Sequence, residues 1–468
     1  MTADAELEGL VAAVPDFVPA ARTGDQPSAV AESAMSQLVD GNDDAETDDT
    51  EGSGPSGGTT TPHMYVPPGA RAAHCFGEDF EGHFCVPARL QDKSADLVEA
   101  VNDFHYAMIN DHPRNEFYRE CLRRAIVPGE SVVLEIGTGS GLLAMLAARL
   151  GARKVVAIEA SRHMAALARK NIAANGLDGA ITVIERLSTE LDADEIRRAC
   201  GLGAGRVVEV NGTEDGGGDV RPYAADLPDV LVSELFGTLL LGESALEYLR
   251  DARERLVRPG CRVVPPRGVQ YAALVECDAV AKLTKADDWG GLDLSHVNVL
   301  QDTASLVFAK QYGFRFCSVP STFLAPPVTV FACDFTRDAP GFVPSETTVD
   351  FAAAKAGVAH CVVLFWDATV GGPGAAPWEL DGGPLTMSTD PRETVDNFAR
   401  DMQWGQGIQL LEDLDAANRD DALDPANALT RPPTPFVVAA GEPLSFDVRL
   451  SSDSVVLQFQ LNRRHTAP

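Results

Sequence analysis

The middle of the chain alternates short apolar runs with longer stretches of helical periodicity. The apolar runs are rich in valine and isoleucine and occupy residues 132–136, 154–159, 181–184 and 229–233. Residues 142–150 and 161–175 lie between them and predict helices. Strands that alternate with helices indicate a parallel sheet, which binds ligands beyond the carboxyl ends of its strands.

The pattern changes beyond about residue 268, where short runs alternate apolar and polar positions. These runs occupy residues 328–332, 360–366, 444–450 and 454–461. Such alternation predicts an antiparallel β domain, either a barrel or a sandwich. The region 282–299 does not alternate and is predicted to be helical. A further helical stretch, 95–126, precedes the first strand, and Asp111 before Pro113 has the pattern of a helix N-cap.

Composition separates the N-terminal segment from the rest. Residues 1–62 contain 13 acidic residues, and Arg22 is their only Lys or Arg. A segment with so little apolar surface is expected to be disordered. The predicted organisation is therefore a disordered acidic segment (1–62), N-terminal helices with the parallel sheet (63–266), and the β domain (267–468).

Charge and cysteine content narrow the class of protein. The formal net charge of −31 argues against a broad nucleic-acid-binding face and favours a cationic partner. The sequence contains no run of about 18 apolar residues, so no membrane span is expected. No signal peptide is expected either. The nine cysteines include no C-x-x-C pair, so neither a zinc site nor a disulfide framework is predicted. A reducing, intracellular location follows.

The first strand leads into the glycine-rich sequence Gly-Thr-Gly-Ser-Gly at residues 137–141. Glycines there let the backbone approach a ligand at a helix N-terminus, as in nicotinamide, flavin and S-adenosylmethionine sites. Glu159 ends the next strand, 22 residues beyond Gly137. That is the position from which a carboxylate contacts ribose hydroxyls. The two features together predict nucleoside binding.

Further motifs resemble the protein arginine methyltransferase family over about residues 103–461. Glu234 and Glu243 follow the fourth strand nine residues apart, as in the family's double-E loop. Residues 108–118 resemble the helix that closes over the methyl donor, and 402–406 (Met-Gln-Trp-Gly-Gln) lie where the family carries a Thr-His-Trp loop. The resemblance implies a Rossmann-like class I methyltransferase domain, a β-barrel domain and a helical dimerisation insertion near 280–300.

Three details resemble the subfamily numbered seven most closely: Arg114-Asn115, the Glu-Leu-Phe at 234–236, and Gln403 in place of a histidine. This subfamily is type III and makes only monomethylarginine. Its animal members carry two catalytic units in tandem, whereas one is visible here. The resemblance therefore implies a homodimer.

The resemblance also assigns roles to individual residues. The donor is S-adenosylmethionine, and no metal is expected. Arg114 is expected to bind its methionine carboxylate, and Glu159 is expected to bind its ribose. The remaining residues assigned to the donor are His105, Met108, Gly137, Gly139, Ser188 and Thr189. The last two lie at the adenine, where many relatives carry Glu.

On the acceptor side, Glu234 and Glu243 are the expected catalytic residues. Two carboxylates can hold the planar guanidinium by opposite edges and draw its charge away from the attacking nitrogen. Phe104, Gln403 and Trp404 are expected to contact the acceptor arginine. A bulky Phe104 would leave no room for a second methyl group.

The expected partners are arginine-rich proteins such as histone tails or RNA-binding proteins, with no direct nucleic-acid or membrane contact. The expected location is the cytoplasm, with the nucleus as the alternative. Rival interpretations are a methyltransferase for a small molecule or nucleic acid, an enzyme that makes dimethylarginine, and a donor-binding scaffold or RNA-protein chaperone with little turnover. A nicotinamide dehydrogenase is least favoured.

Overall fold

The structure, a computed structural model, describes residues 104–201, 226–337, 346–372, 374–424, 431–451 and 456–464. The predictions made for residues 1–103 lie outside this part of the chain.

The first half is built on five parallel strands: β1 (Val132–Ile136), β2 (Lys154–Glu159), β3 (Ile181–Glu185), β4 (Val230–Ser233) and β5 (Arg262–Val264). Their order in the sheet is β3-β2-β1-β4-β5. The four strands predicted from the apolar runs are therefore confirmed. Ile136 at the end of β1 is level with Ile158 on one side and Ser233 on the other. This register brings the glycine loop, Glu159 and Glu234 to one edge of the sheet.

Helices connect and flank these strands. They are α1 (Phe104–Asn110), α2 (His112–Ala125), α3 (Leu142–Arg149), α4 (Arg162–Ala174), α5 (Ala193–Ala199) and α6 (Ala245–Arg255). The helix predicted over 161–175 is confirmed, and the Ser161 side chain caps it by accepting from the Met164 amide. No helix of the described residues is long and apolar enough to span a membrane.

The predicted helix 95–126 is interrupted at Asp111. The carboxylate of Asp111 accepts the Arg114 amide at 3.0 Å and so starts a second helix, with Pro113 in its first turn. The N-cap prediction is confirmed. A proline in a first turn has no amide to satisfy and stabilises this start.

The second half consists of antiparallel sheets. Their strands are β6 (Arg267–Glu276), β9 (Leu306–Phe308), β10 (Thr322–Phe323), β11 (Val328–Asp334), β12 (Glu346–Ala352), β13 (Gly357–Ala359), β14 (Cys361–Val370), β15 (Leu385–Ser388), β16 (Gly407–Leu410), β17 (Phe436–Val438), β18 (Pro443–Leu450) and β19 (Leu457–Arg463). The largest sheet has the order β10-β6-β14-β16-β9, and β11 also pairs with β6 and β15 with β14. A second sheet has the order β12-β18-β19, and β13 pairs with β17. Helices α8 (Phe398–Gln403) and α9 (Leu414–Leu423) flank them. The antiparallel strands are confirmed, whereas closure into a barrel stays a prediction.

The segment predicted to be helical near 280–300 is helical only at its two ends. Helix α7 covers Asp278–Leu283, and a 3₁₀ helix covers Ser295–Leu300. Between them β7 (Asp288–Trp289) and β8 (Leu292–Asp293) form a hairpin. Gly290 and Gly291 both have positive φ angles (60° and 80°), which suits a two-residue hairpin turn.

Candidate active site

A cavity lies at the edge of the parallel sheet and collects side chains from several elements. Its lining includes His105, Met108, Arg114, Glu135, Gly137, Gly139 and Glu234. The sequence predicted all of these except Glu135 as site residues. The residues assigned to the donor therefore lie beside the first glutamate assigned to the acceptor.

Within the glycine loop, Gly137 is closely packed against a neighbouring side chain, whereas Gly139 borders open space. A Cβ atom at Gly137 would lie 2.9 Å from the Leu235 side chain, whereas one at Gly139 would meet nothing within 4 Å. The Gly139 amide donates to Glu159 Oε2 at 2.8 Å, and the Ser161 amide donates to Oε1 at 2.9 Å. Since each carboxylate oxygen has two lone pairs, both retain one for a ribose hydroxyl.

Arg114 and Glu234 form a buried ion pair. Arg114 is only 3% exposed, and its Nη2 lies 2.5 Å from Glu234 Oε2. The other terminal nitrogen donates to Asn115 Oδ1 at 2.8 Å, and the guanidinium lies 5.4 Å from the centre of the Tyr118 ring. Residues that the sequence assigned to different ligands thus contact each other directly.

Gln403 also reaches Glu234. Its Nε2 lies 3.4 Å from the same Oε2 that Arg114 contacts, and the Phe236 amide donates to Oε1 at 3.3 Å. Donors of three different segments therefore fix the orientation of this carboxylate.

Glu243 is in a different environment. Desolvation of its carboxyl group, with the negative charge of Glu234 as the smaller cause, raises the pKa of Glu243 to about 7, although part of the residue is in contact with solvent. Glu234, nine residues earlier on the same loop, therefore acts electrostatically on Glu243. One glutamate is thus held by a cation, and the other is available to a ligand.

Two tryptophans anchor the loop that carries both glutamates. Trp404 is 2% exposed, and its indole N–H donates to the Phe236 carbonyl at 2.7 Å. Trp366 donates to the Gly237 carbonyl at 2.9 Å, and the two rings meet edge to face. Trp404 is therefore a packed core residue that supports the loop, and its contact with an acceptor arginine stays a prediction.

The residues predicted at the adenine follow β3 in a 3₁₀ turn, Ser188–Glu190. Ser188 is buried, whereas Thr189 is exposed. Arg255 Nη2 donates to the carbonyls of both residues, at 3.4 and 3.2 Å. The sequence did not single out Arg255 as the support of this turn.

Phe104 begins α1, but its side chain lies outside the part of the chain that the structure describes. Its role in the acceptor pocket stays a prediction.

Glu135 is a site residue that the sequence analysis missed. It is buried near the C-terminal end of β1 and accepts the Thr138 hydroxyl at 2.6 Å. Burial, together with the nearby negative charge of Glu159, raises the pKa of Glu135 to about 7. A polar residue inside an otherwise apolar central strand was the available signal.

Comparisons with known proteins point to methyltransferases. Residues 111–197 match the family model described as ribosomal protein L11 methyltransferase (PrmA). The chain is 32% identical over 292 residues to an arginine N(omega)-methyltransferase from Streptomyces achromogenes subsp. streptozoticus, a match that covers 62% of this chain and 68% of that protein. It is 32% identical over 304 residues to protein arginine N-methyltransferase 7 from Danio rerio, with coverage of 61% and 40%. The chain thus spans less than half the length of the Danio rerio protein.

The fold is similar to that of the Trypanosoma brucei PRMT1 enzyme-prozyme heterotetrameric complex with AdoHcy. The TM-score is 0.53 at 18% sequence identity, over 78% of this chain and 94% of the other. This likeness shows a Rossmann-like fold joined to a β-rich part.

The residues at the site fit S-adenosylmethionine. Arg114 Nε and Ser188 Oγ are both buried and have no hydrogen-bond partner among the described residues. A donor would supply one at each place, its methionine carboxylate at Arg114 and its adenine amine at Ser188. Together with the free lone pairs of Glu159, these groups would hold both ends and the ribose of the donor.

The raised pKa of Glu243 predicts how pH affects stability. At pH values near and above 7 the folded carboxylate is ionised in an unfavourable setting, whereas at pH 5 it stays protonated in the folded chain. Glu243→Gln, which is neutral at every pH, should therefore raise the melting temperature more at pH 8 than at pH 5.

Thermal unfolding followed by circular dichroism measures this difference. Glu247→Gln, at an exposed glutamate on the next turn, is the matched control. Equal shifts for Glu243→Gln at both pH values would contradict the prediction.

Proposed function

Since the chain belongs to the protein arginine methyltransferase family, we propose that it transfers a methyl group from S-adenosylmethionine to a guanidino nitrogen of arginine in proteins. The observation that carries this proposal is Glu234 in the lining of the donor cavity, with Glu243 nine residues further along the same loop. Glu234 is held by Arg114 and Gln403, and its negative charge contributes to the raised pKa of Glu243. This arrangement supports recognition of a flat cation at the point where donor and acceptor meet.

The main obstacle to the reaction is the weak nucleophilicity of the arginine guanidinium. The donor supplies a methyl group activated by a sulfonium, but no guanidinium nitrogen carries a free lone pair. Two carboxylates at opposite edges would hold the plane, draw positive charge away from the attacking nitrogen and align it with the methyl group. The transfer releases one proton from the guanidinium. Glu243 is suited to accept it, because its pKa of about 7 allows uptake and release near neutral pH.

We propose monomethylarginine as the product. Gln403 lies against Glu234, where it occupies space on one side of the acceptor site. The resemblance to the subfamily numbered seven, together with the predicted position of Phe104, supports a pocket too small for a second methyl group. Dimethylarginine is the alternative product.

Free arginine is a second candidate acceptor. The Streptomyces relative is named an arginine N(omega)-methyltransferase, without the word protein, and 68% of it is matched by this chain. The glutamate pair would bind the guanidinium of a free amino acid equally well. The net charge of −31 favours arginine-rich proteins, because long-range attraction concentrates basic chains near the enzyme.

We also propose a homodimer, formed through the segment 278–300. Its apolar side chains are unusually exposed: Leu283, Trp289 (76%), Leu292, Leu294, Val297, Val299 and Leu300 (80%). A contiguous exposed apolar segment is typical of an interaction surface. The groove between α2 and α3, lined by Pro113, Leu142 and Leu146, is the proposed docking site on the partner.

The first test offers labelled S-adenosylmethionine with an arginine-rich peptide, its lysine counterpart and free arginine. We expect label in the arginine peptide only. Exclusive labelling of free arginine would support the second candidate, and no labelling at all would support a scaffold. Glu234→Gln and Glu243→Gln should each lower the rate about 100-fold or more, because each removes charge stabilisation at the reacting group.

Donor binding should largely survive Glu243→Gln, since this residue makes none of the proposed donor contacts, whereas Glu234→Gln also removes the charged partner of Arg114 and should weaken donor binding to some extent. Binding of S-adenosylhomocysteine measured by calorimetry checks this. Glu247→Gln, an exposed glutamate outside the cavity, is the control for rate. A near-normal rate in Glu234→Gln would refute the mechanism.

The steric account of the product predicts the effect of a smaller side chain at Phe104. Phe104→Ile should add dimethylarginine to the products, because it leaves space for a methyl group already on the acceptor nitrogen. Amino-acid analysis by mass spectrometry measures the products. Phe308→Ile, on β9, is the control, and dimethylarginine as the main product of the unaltered enzyme would show that the pocket is not limiting.

If the segment 278–300 forms the dimer interface, acidic substitutions in its exposed apolar side chains should lower the molecular mass of the protein in solution. Trp289→Asp combined with Leu292→Asp should convert a dimer to a monomer, measured by size exclusion with light scattering. Leu423→Asp adds an acid at an exposed leucine outside this segment and should leave the mass unchanged. A dimer that persists in the double variant would locate the interface elsewhere.

A further inference from the structure

A buried clasp joins the helix that carries Arg114 to the helix that carries Gln403. The carboxylate of Asp111 accepts from Arg400 Nε at 2.9 Å and from Arg400 Nη2 at 3.1 Å. The remaining terminal nitrogen of Arg400 donates to the Ser388 carbonyl at 3.0 Å. Asp111 and Arg400 are both buried, so this ion pair is shielded from solvent.

The clasp connects the N-caps of the two helices. Asp111 caps α2 through the Arg114 amide, and Asn397 caps α8 by accepting the Arg400 amide at 3.1 Å. The Nδ2 of Asn397 in turn donates to Asp111 Oδ1 at 2.9 Å. The two helix starts are therefore bonded to each other as well as to Arg400. Helix α1 packs against α8 on the same side.

One turn further along each helix, a second bridge forms. Arg114 follows Asp111 by three residues, and Gln403 follows Arg400 by three. Both side chains converge on Glu234 Oε2. Because residues three apart lie on one face of a helix, the clasp fixes the alignment of the two helices on which this second bridge depends.

We propose that Asp111 and Arg400 are positioning residues that couple donor binding to acceptor binding. The donor is held by α1 and α2, and the acceptor site is completed by α8 and Glu234. If the donor binds more tightly when Asp111 and Arg400 are paired, donor binding stabilises this paired arrangement. The acceptor then binds to a site that is already aligned, and the converse holds for acceptor binding. Such a coupling is reciprocal and typically amounts to about 5- to 150-fold in affinity. The inference rests on the proposed function for the identity of the acceptor.

The experiment measures a ratio of affinities. The dissociation constant of an arginine-rich peptide is determined by calorimetry with and without saturating S-adenosylhomocysteine, which cannot react. The full chain should bind the peptide at least about 5-fold more tightly when the nucleoside is present. The peptide should strengthen nucleoside binding by the same factor.

Two variants remove the clasp in different ways. Arg400→Met keeps the length of the side chain and loses the charge. Asp111→Asn keeps an oxygen to cap α2 and loses the ion pair. In both, the ratio should fall to unity, while the affinity for the nucleoside alone changes by less than about 3-fold, because the residues that contact the donor are unchanged.

A merely structural role would give a different result. It would lower the melting temperature and weaken both ligands without changing the ratio. Arg431→Met removes a comparable set of ion pairs, to Glu412 and Asp421, within the β-rich part and should preserve the ratio. If Arg400→Met does not fold, Asp111→Asn still decides the question.

A ratio of unity in the unaltered chain, or an undiminished ratio in folded Asp111→Asn, would overturn the inference. Failure of the proposed function is recognised separately, because the unaltered chain would then transfer no label to any arginine peptide. An enzyme that methylates arginine without coupling would refute the clasp alone.

Discussion

The buried ion pair between Arg114 and Glu234 is the interaction on which the site depends. An unpaired charge in this place would be costly, since removal of one partner of a buried pair typically destabilises a fold by about 3–5 kcal/mol. In the proposed function the two partners serve different halves of the reaction, Arg114 the donor and Glu234 the acceptor. The pair therefore fixes the position of the proposed donor site relative to the proposed acceptor site. It also holds the Glu234 carboxylate at the cavity, where a second cation can share it.

The rest of the architecture holds this pair and differentiates the two glutamates. The indoles of Trp366 and Trp404 donate to backbone carbonyls of the loop, and helices α2 and α8 each contribute a side chain that contacts Glu234. Glu234 is consequently oriented by several donors, whereas Glu243 has a pKa raised toward neutrality. Two identical side chains nine residues apart are thus suited to different tasks. One is a fixed electrostatic anchor, and the other is a group able to exchange a proton.

Much of this could be predicted from local sequence. Buried parallel strands produce continuous apolar runs, and the position of Glu159 follows from the geometry of a strand end. Asp111 was predictable as a cap because it precedes Pro113. The pairings of Arg114 with Glu234 and of Asp111 with Arg400 were not, since they join residues 120 and 289 positions apart. Nor does sequence decide whether a tryptophan such as Trp404 faces a ligand or the core. The hairpin at 288–293 was missed because two glycines, rather than an alternating pattern, create it.

The central claim is that the two carboxylates enclose one guanidinium next to the donor. A crystal structure of the chain with S-adenosylhomocysteine and an arginine peptide tests it most directly. The account predicts that the acceptor guanidinium lies between Glu234 and Glu243, within about 3 Å of each carboxylate, as in charge-assisted hydrogen bonds. Arg114 should remain on Glu234 while its free nitrogen meets the carboxylate of the nucleoside. A peptide arginine bound elsewhere, with Glu243 directed into solvent, would contradict the account.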